Sequence, residues 1–588
     1  MREPSADPVV RHPFAVPRRG VALCVAALSA ALSSVAVAQV PPVLQAPPVR
    51  PGAPEVPRTP DSIPAAPPGT RTAPPGADQI FATPSAIDIE GATVYPPGVL
   101  DELTRPVVGR RVAVSELFAV AQRIEAKYRA DGYFLTTVFL PAQRVADGRV
   151  KIRVVEGYIS NVVVEGNVGD VASQARRFLD KMTLARPANL RDVERYLLLT
   201  QDMPGVSMKA VLRPGKEPGS SELVAQLQRK SWDGLLQVNN RGSKFTGQQQ
   251  GTFVVGSNSW TGLAERLEAT FFTTFDREQN FGQLNWSNYI GGDGLQLRAY
   301  FGRGRILPDL QIVDYDGKLT VAGISLLYPV IRSRQLNLNV FGGYDYYHSN
   351  ADLIVANSKG GFTRTDLSVL RFGADANYRD DWNGVTFGNV RFSQGINAFG
   401  STKRGDPFLN RLGADPTFFK FNGEVNRLQG IWTGAGFSLN VLGSLAGQYS
   451  GDILPSNEKY FVGGERLGRG YYSGQVTGDK AVAGSLELQL NFSIAYDEGT
   501  EGVGGPSQGG SLPMQLYVFY DHARVWNNAP GEIRHQTARS FGGGIRVSIL
   551  ESVALELEAT RRLDRDVDGA AARRLDPWNL YGRVTARF

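Results

Sequence analysis

From residue 232 onward, apolar and polar positions alternate one by one. Leu336, Leu338 and Val340 alternate with Asn337, Asn339 and Phe341, and Leu486, Leu488 and Leu490 alternate with Glu487, Gln489 and Asn491. Successive side chains of a strand point to opposite faces, so this period predicts strands with one apolar and one mostly polar face. Turns such as Gly291-Gly292-Asp293-Gly294 separate them. A membrane barrel with lipid outside and a wet lumen fits the pattern. A soluble sandwich has the same period, so alternation alone does not choose between the two.

Upstream the spacing changes. A strand at 86–91 carries Ile87 and Ile89 and ends in Glu90-Gly91, and Leu100 and Leu103 predict a short helix. Over 114–130, Leu117, Val120, Ala121, Ile124 and Tyr128 recur at helical spacing, and Gly132 can take the left-handed conformation that ends a helix. Residues 135–140 and 149–156 then read as strands. The order repeats with a strand at 159–166 that again ends in Glu165-Gly166, helices at 171–181 and 190–200, and strands at 206–212 and 222–228. Two small α+β modules in tandem are the economical reading.

Ahead of the modules, Arg18 and Arg19 precede an apolar run at 21–37 that closes on Ala36-Val37-Ala38, which predicts a signal peptide over 1–38. The only cysteine, Cys24, lies inside it. The mature chain is therefore expected to lack disulfides, thiolate metal sites and a cysteine nucleophile. Thirteen prolines between Pro41 and Pro75 predict an extended linker over 39–84, and no amphipathic helix able to plug a pore is read before Ile80. No later stretch approaches about 18 apolar residues, so any membrane crossing falls to strands closed into a barrel, which leaves no open sheet edge in lipid. The net charge of +6 is interspersed without a basic cluster, so nucleic-acid binding is not expected. Neither a phosphate-binding loop nor a metal-ligand cluster is visible, and no nucleotide, metal or cofactor is expected. His522 beside Asp521 suggests a general base, yet strand neighbours face opposite sides of a sheet, and the chain is not read as an enzyme.

The candidate chemistry gathers in FVGGERLGRGYYSGQVTGD at 461–479, where Arg469 offers a fixed fork of donors to a carboxylate, and in MQLYVFYDHARVW at 514–526, which contains Asp521. Arg469-Gly470-Tyr471 resembles the loop tip of the superfamily of outer-membrane insertases and two-partner secretion transporters. Phe519 and Asp521 stand where that superfamily has its aromatic and aspartate. GYFLTTVFLPAQRVADGRVKIRVVEG at 132–157 and LLLTQDMPGVSMKAVLRPG at 197–215 resemble the POTRA domains of two-partner secretion transporters, and NNRGSKFTG at 239–247 and YPVIRSRQLNLNV at 328–340 extend the likeness. Gly468 and Ala523 depart from the family pattern, which often has Val and Gly there.

The resemblance implies an α+β pair of POTRA domains, 85–157 and 158–231, followed by a transmembrane antiparallel β-barrel of 16 strands over 232–588 with 461–479 folded inward. It implies a loop-to-wall lock made by Arg469, Gly470, Tyr471, Phe519 and Asp521, with Arg469 paired to Asp521. An exposed strand edge carrying Val206, Met208, Ala210 and Leu212 would accept an extended client through backbone hydrogen bonds. Phe588, the last residue, resembles the signal by which barrels are recognised for assembly. The implied function is capture of an unfolded exoprotein, of β-helical type, in the periplasm and its secretion through the barrel. Partners would be that exoprotein, the barrel assembly machinery and outer-membrane lipid. An outer-membrane assembly insertase and a passive porin or receptor are the alternatives.

Overall fold

The computed structural model describes residues 72–145, 147–243, 246–308, 314–355, 358–496, 510–550, 552–567 and 574–588. The signal peptide, Cys24 and the linker through residue 71 lie outside them.

The first module contains β1 (Phe81–Ala82), β2 (Ala86–Glu90), helix α1 (Asp101–Thr104), β3 (Val112–Ala113), helix α2 (Val114–Ala130), β4 (Thr137–Phe139) and β5 (Arg149–Val155). Its main sheet has the order β2-β5-β4, with β2 parallel to the central β5, and β1 pairs with β3 at one side. The residues at 77–82 thus join the module rather than the linker: Ala77 is buried and Phe81 faces Ala113 in register. A two-residue strand is too short to register as a period. The helical spacing of Leu117, Val120, Ala121, Ile124 and Tyr128 has a direct cause, since all five are buried against the sheet.

The second module repeats the plan with β6 (Tyr158–Glu165), α3 (Val171–Leu179), α4 (Leu190–Gln201), β7 (Val206–Pro214) and β8 (Ser220–Arg229), in the order β6-β8-β7. The Glu-Gly phrase shared by the modules has a steric reason. A Cβ on Gly91 would stand 2.3 Å from the carbonyl oxygen of Val154, and one on Gly166 2.2 Å from that of Leu227, both with positive φ. β2 and β6 can each end against the central strand only as glycine. The modules also share a core, because Phe134 and Leu135, which follow α2, pack among Ile159, Phe178 and Leu197 of the second.

Sixteen strands then close into a barrel, the first (Trp232–Asn239) pairing with the last (Trp578–Arg587). Val518 is 58% exposed on the outside while Phe519 and Asp521 are 5% and 0% exposed within, which is the alternation seen in the sequence. The closing seam runs from Arg583 opposite Asn239 to Arg587 opposite Leu235. Beyond it the Asn240 side chain takes over, donating to Leu580 O (3.0 Å) and accepting from Gly582 N (2.8 Å). Among the described residues no helix is long and apolar enough to cross a membrane.

The second module is fastened to the barrel turns beside it. Arg332 makes a two-pronged pair with Asp202 (2.7 Å to each oxygen), Arg195 donates to Pro329 O (2.8 Å), Gln174 donates to Gly291 O (2.8 Å), and the Phe178 and Tyr289 rings meet edge to face.

Candidate functional site

The strands run antiparallel from Trp232 beside the modules, so the connection at 450–479 leaves the barrel at the opposite end. It turns back as a hairpin, Tyr460–Val462 pairing with Val476–Gly478, whose tip enters the lumen. Gly463 permits this turn: its φ is +108°, and a Cβ there would lie 2.0 Å from Tyr472 O.

Arg469 sits at the tip and is 5% exposed. Its Nη2 donates to Asp521 Oδ1 (2.9 Å), its Nε to Asp521 Oδ2 (3.1 Å), and its backbone N–H to the same Oδ2 (2.8 Å). Nη2 also reaches Ser485 Oγ (2.8 Å), and Nη1 pairs with Glu487. The guanidinium carbon lies over the Phe519 ring, 3.4 Å from its centroid. Gly542 on the next strand leaves room for that ring, since a Cβ there would stand 2.8 Å from Phe519 Cζ. Gly470 brings its backbone to the wall: its N–H donates to Ser540 Oγ (3.2 Å), and its carbonyl accepts from Arg562 Nε (2.5 Å) and Asn579 (3.2 Å). The Tyr471 hydroxyl lies 2.7 Å from Asp564 O and 2.8 Å from Arg539 O. Arg469, Gly470, Tyr471, Phe519 and Asp521 therefore meet at one patch of wall.

Sequence reasoning did not identify the other braces. Alternation puts Glu487 on a polar strand face, but nothing in the sequence points it at Arg469. Glu465 pairs with Arg583 on the last strand (2.9 Å) and accepts from Gln237 and Asn239 on the first (3.3 Å each). Arg466 pairs with Glu424 across the lumen, and Arg241 joins Glu558 (2.8 Å) to Gly464 O (3.3 Å). Glu458, buried before the hairpin, is held by Arg371 (2.7 Å) and Lys420 (2.6 Å). The tip is thus tied to several sides of the barrel and spans its lumen.

A second buried cluster closes the outer end. Arg411 forms a two-pronged pair with Asp479 (2.6 and 2.8 Å), another with Glu532 (2.7 and 2.8 Å), and donates to Leu454 O (2.6 Å). It thereby links three outer connections, 397–418, 450–479 and 527–534.

The remaining predicted residues lie apart. β7 is an edge strand of the second module. Val206 and Met208 are buried in the core and Ala210 and Leu212 pack against it, so their side chains face inward, while Val211 is 48% exposed on the other face. What the edge offers to another chain is its backbone. Phe588 exchanges backbone hydrogen bonds with Gly234 (2.9 and 3.1 Å) at the closing seam, and its ring lies over that glycine. His522 faces outward, away from the lumen-facing Asp521.

Comparison with known proteins agrees with this architecture. The model of the POTRA domain, ShlB-type, matches residues 82–157, and that of the Haemolysin secretion/activation protein ShlB/FhaC/HecB matches 219–547. The chain is similar to the heme/hemopexin transporter protein HuxB of Haemophilus influenzae, 22% identical over 80% of this chain and 82% of that protein. It is also similar to the outer membrane transporter CdiB of Escherichia coli O6:K15:H31, 24% identical over 76% of each. The solved structure of CdiB from Escherichia coli shares the fold with a TM-score of 0.68 at 18% identity, covering 98% of this chain and all of that one. With its second match spanning more than half of the sequence, the chain belongs to the haemolysin secretion/activation protein family, ShlB/FhaC/HecB.

Proposed function

We propose that this protein captures an unfolded exoprotein of β-helical type on the β7 edge and conducts it through the barrel, with the 461–479 loop as the moving part. The chain is an outer-membrane two-partner secretion transporter whose POTRA region lies in the periplasm, and a secreted exoprotein is its partner. The relatives it matches are transporters. The observation that carries the finer reading is the loop tip spanning the lumen on Arg469, Asp521 and Glu487. A chain passing through that lumen must displace the tip. Glycines on both sides of Arg469 supply the backbone freedom to move, and the ion pairs supply a defined position to return to. At β7, extended client segments would add as a further strand, with affinity from the main chain rather than from particular side chains. Phe588, already engaged at the seam, is the proposed mark by which the assembly machinery recognises the barrel.

The test is export of a β-helical exoprotein encoded in the same genome by wild type and by Arg469→Ala at equal barrel levels. Arg469→Ala leaves Asp521 buried without its cation, while Glu487 keeps Arg546 (2.8 Å), a loss of about 3 to 5 kcal/mol at the lock. Export should fall to background while the barrel still assembles. Undiminished export by Arg469→Ala would remove the loop from the mechanism.

A further inference from the structure

The outer face of the barrel carries a line of cations that the transport path does not use. Lys480 opens the strand Lys480–Tyr496, Arg524 stands two residues before the end of Gly510–Trp526, Arg539 lies near the start of His535–Leu550, and Arg561 is one residue before the end of Val553–Arg562. All four are at strand ends remote from the modules. They share the outward face with the exposed Val482, Val518, Tyr520 and Leu557, while Ala523 and Arg562, their immediate neighbours, point inward and are buried.

The register lines the four up. Lys480 is opposite Trp526, so Arg524 is its diagonal neighbour; His522 is opposite Arg539, so Arg524 and Arg539 are diagonal; Phe541 is opposite Arg561, so Arg539 and Arg561 are diagonal. Diagonal neighbours on one sheet face are roughly 7 to 8 Å apart. Arg539 is paired with Asp564 (2.8 Å), whereas no described carboxylate pairs with Lys480, Arg524 or Arg561. Each of these three instead lies by an aromatic ring: Lys480 by Tyr449 (5.2 Å), Arg524 by Trp526 (5.4 Å) and Arg561 by Trp578 (5.5 Å).

Tryptophan and tyrosine at strand ends mark the headgroup level of a membrane. Like charges in a row at that level repel, and among the described residues one carboxylate pairs with any of the four. Phosphate in the headgroup layer is the anion at that depth, and guanidinium groups bind it through paired donors. We propose that Lys480, Arg524, Arg539 and Arg561 form a site for the phosphate groups of an anionic outer-leaflet glycolipid. The site lies on the outside of the strand whose inner face presents Asp521 to the loop, so bound lipid braces the wall that holds Arg469.

The experiment places the full chain in phosphatidylcholine nanodiscs doped with lipopolysaccharide and counts retained lipid by native mass spectrometry. The triple variant Lys480→Gln, Arg524→Gln, Arg561→Gln should retain at least about tenfold less, because each cation near an anionic surface contributes separately. The charge-keeping triple Lys480→Arg, Arg524→Lys, Arg561→Lys should retain lipid, as should Arg303→Gln, an exposed arginine on the distant strand Leu295–Ile306. Should the neutral triple fail to assemble, Arg524→Gln alone is expected to lower retention about fivefold. Unchanged retention in the neutral variants, or an equal loss in Arg303→Gln, would overturn the site. Displacement of the lipid by inorganic phosphate alone would show that free phosphate, not a glycolipid, is the ligand.

Discussion

Arg469 is a charge held away from water, and its surroundings explain how that is sustained. Desolvating an ion costs several kcal/mol, which is offset only where geometry is good and the remaining donors are satisfied. Here every nitrogen of the guanidinium has a partner, and the Phe519 ring covers one face with the negative side of its π system. A lysine offers a point charge without the fork and would not reach Asp521, Ser485 and Glu487 together. Gly463 is the neighbouring position where one atom matters most. Gly463→Ala combines a positive φ with a backbone collision at Tyr472 O, a strain of about 1 to 3 kcal/mol confined to the tip. The barrel should fold normally, the loop should become sensitive to externally added protease, and export should drop. A protected loop with full export would show that the turn tolerates a side chain.

Within the first module, Glu156 follows β5 and holds separate elements together. It accepts from the Thr93 side chain, from the backbone N–H groups of Thr93 (2.7 Å) and Val94 (3.0 Å), and from the Tyr128 hydroxyl of α2 (2.7 Å). Burial by itself would raise its carboxyl, but these donors outweigh burial and hold it below the ordinary carboxylate value. A carboxyl lowered in the folded state stabilises the fold above the unfolded pKa, and the contribution disappears as pH falls through the lowered value. Glu156→Gln should therefore weaken hydrogen-exchange protection of α2 at about pH 7, and the difference should shrink at an acidic pH, as the wild-type carboxyl takes up its proton. A wild type and variant that differ equally at both pH values would assign the effect to packing. The same scale explains β7: its side chains complete the core, which keeps the edge straight and its backbone presented.

Seen as a whole, the molecule is closed at one end and fastened at the other. The periplasmic modules share a core and meet the barrel through Arg332, Arg195 and Gln174. At the outer end Arg411 gathers Asp479 and Glu532 from different connections, with side-chain exposures of 5%, 0% and 11%. Removing the shared cation leaves Asp479 buried without one, with Lys459 (3.4 Å) still beside Glu532, a loss of about 3 to 5 kcal/mol. Arg411→Ala should therefore open the outer mouth and raise single-channel conductance in planar bilayers while Arg469 still holds the tip. A conductance equal to wild type would place the constriction at the tip alone.

The features legible along the chain are periodic or local. Alternation set which side chains face lipid and which face the lumen, helical spacing marked Leu117 to Tyr128, and the doubled Glu-Gly phrase announced two like modules. The likeness of 461–479 and 514–526 to a known family brought Arg469 and Asp521 to attention together. Period, however, says which face a residue occupies and nothing of what stands across from it. Glu487, Glu465 with Arg583, and Arg411 with Asp479 and Glu532 are brought together by closure of the ring and the inward turn of one hairpin, over separations of up to 121 residues. Phe134 and Leu135, written as part of the first module, pack in the core of the second, a contact between modules that no period along the chain reports. The pairings inside the barrel depend on strand number, register and tilt taken together, which are set only once the chain has folded.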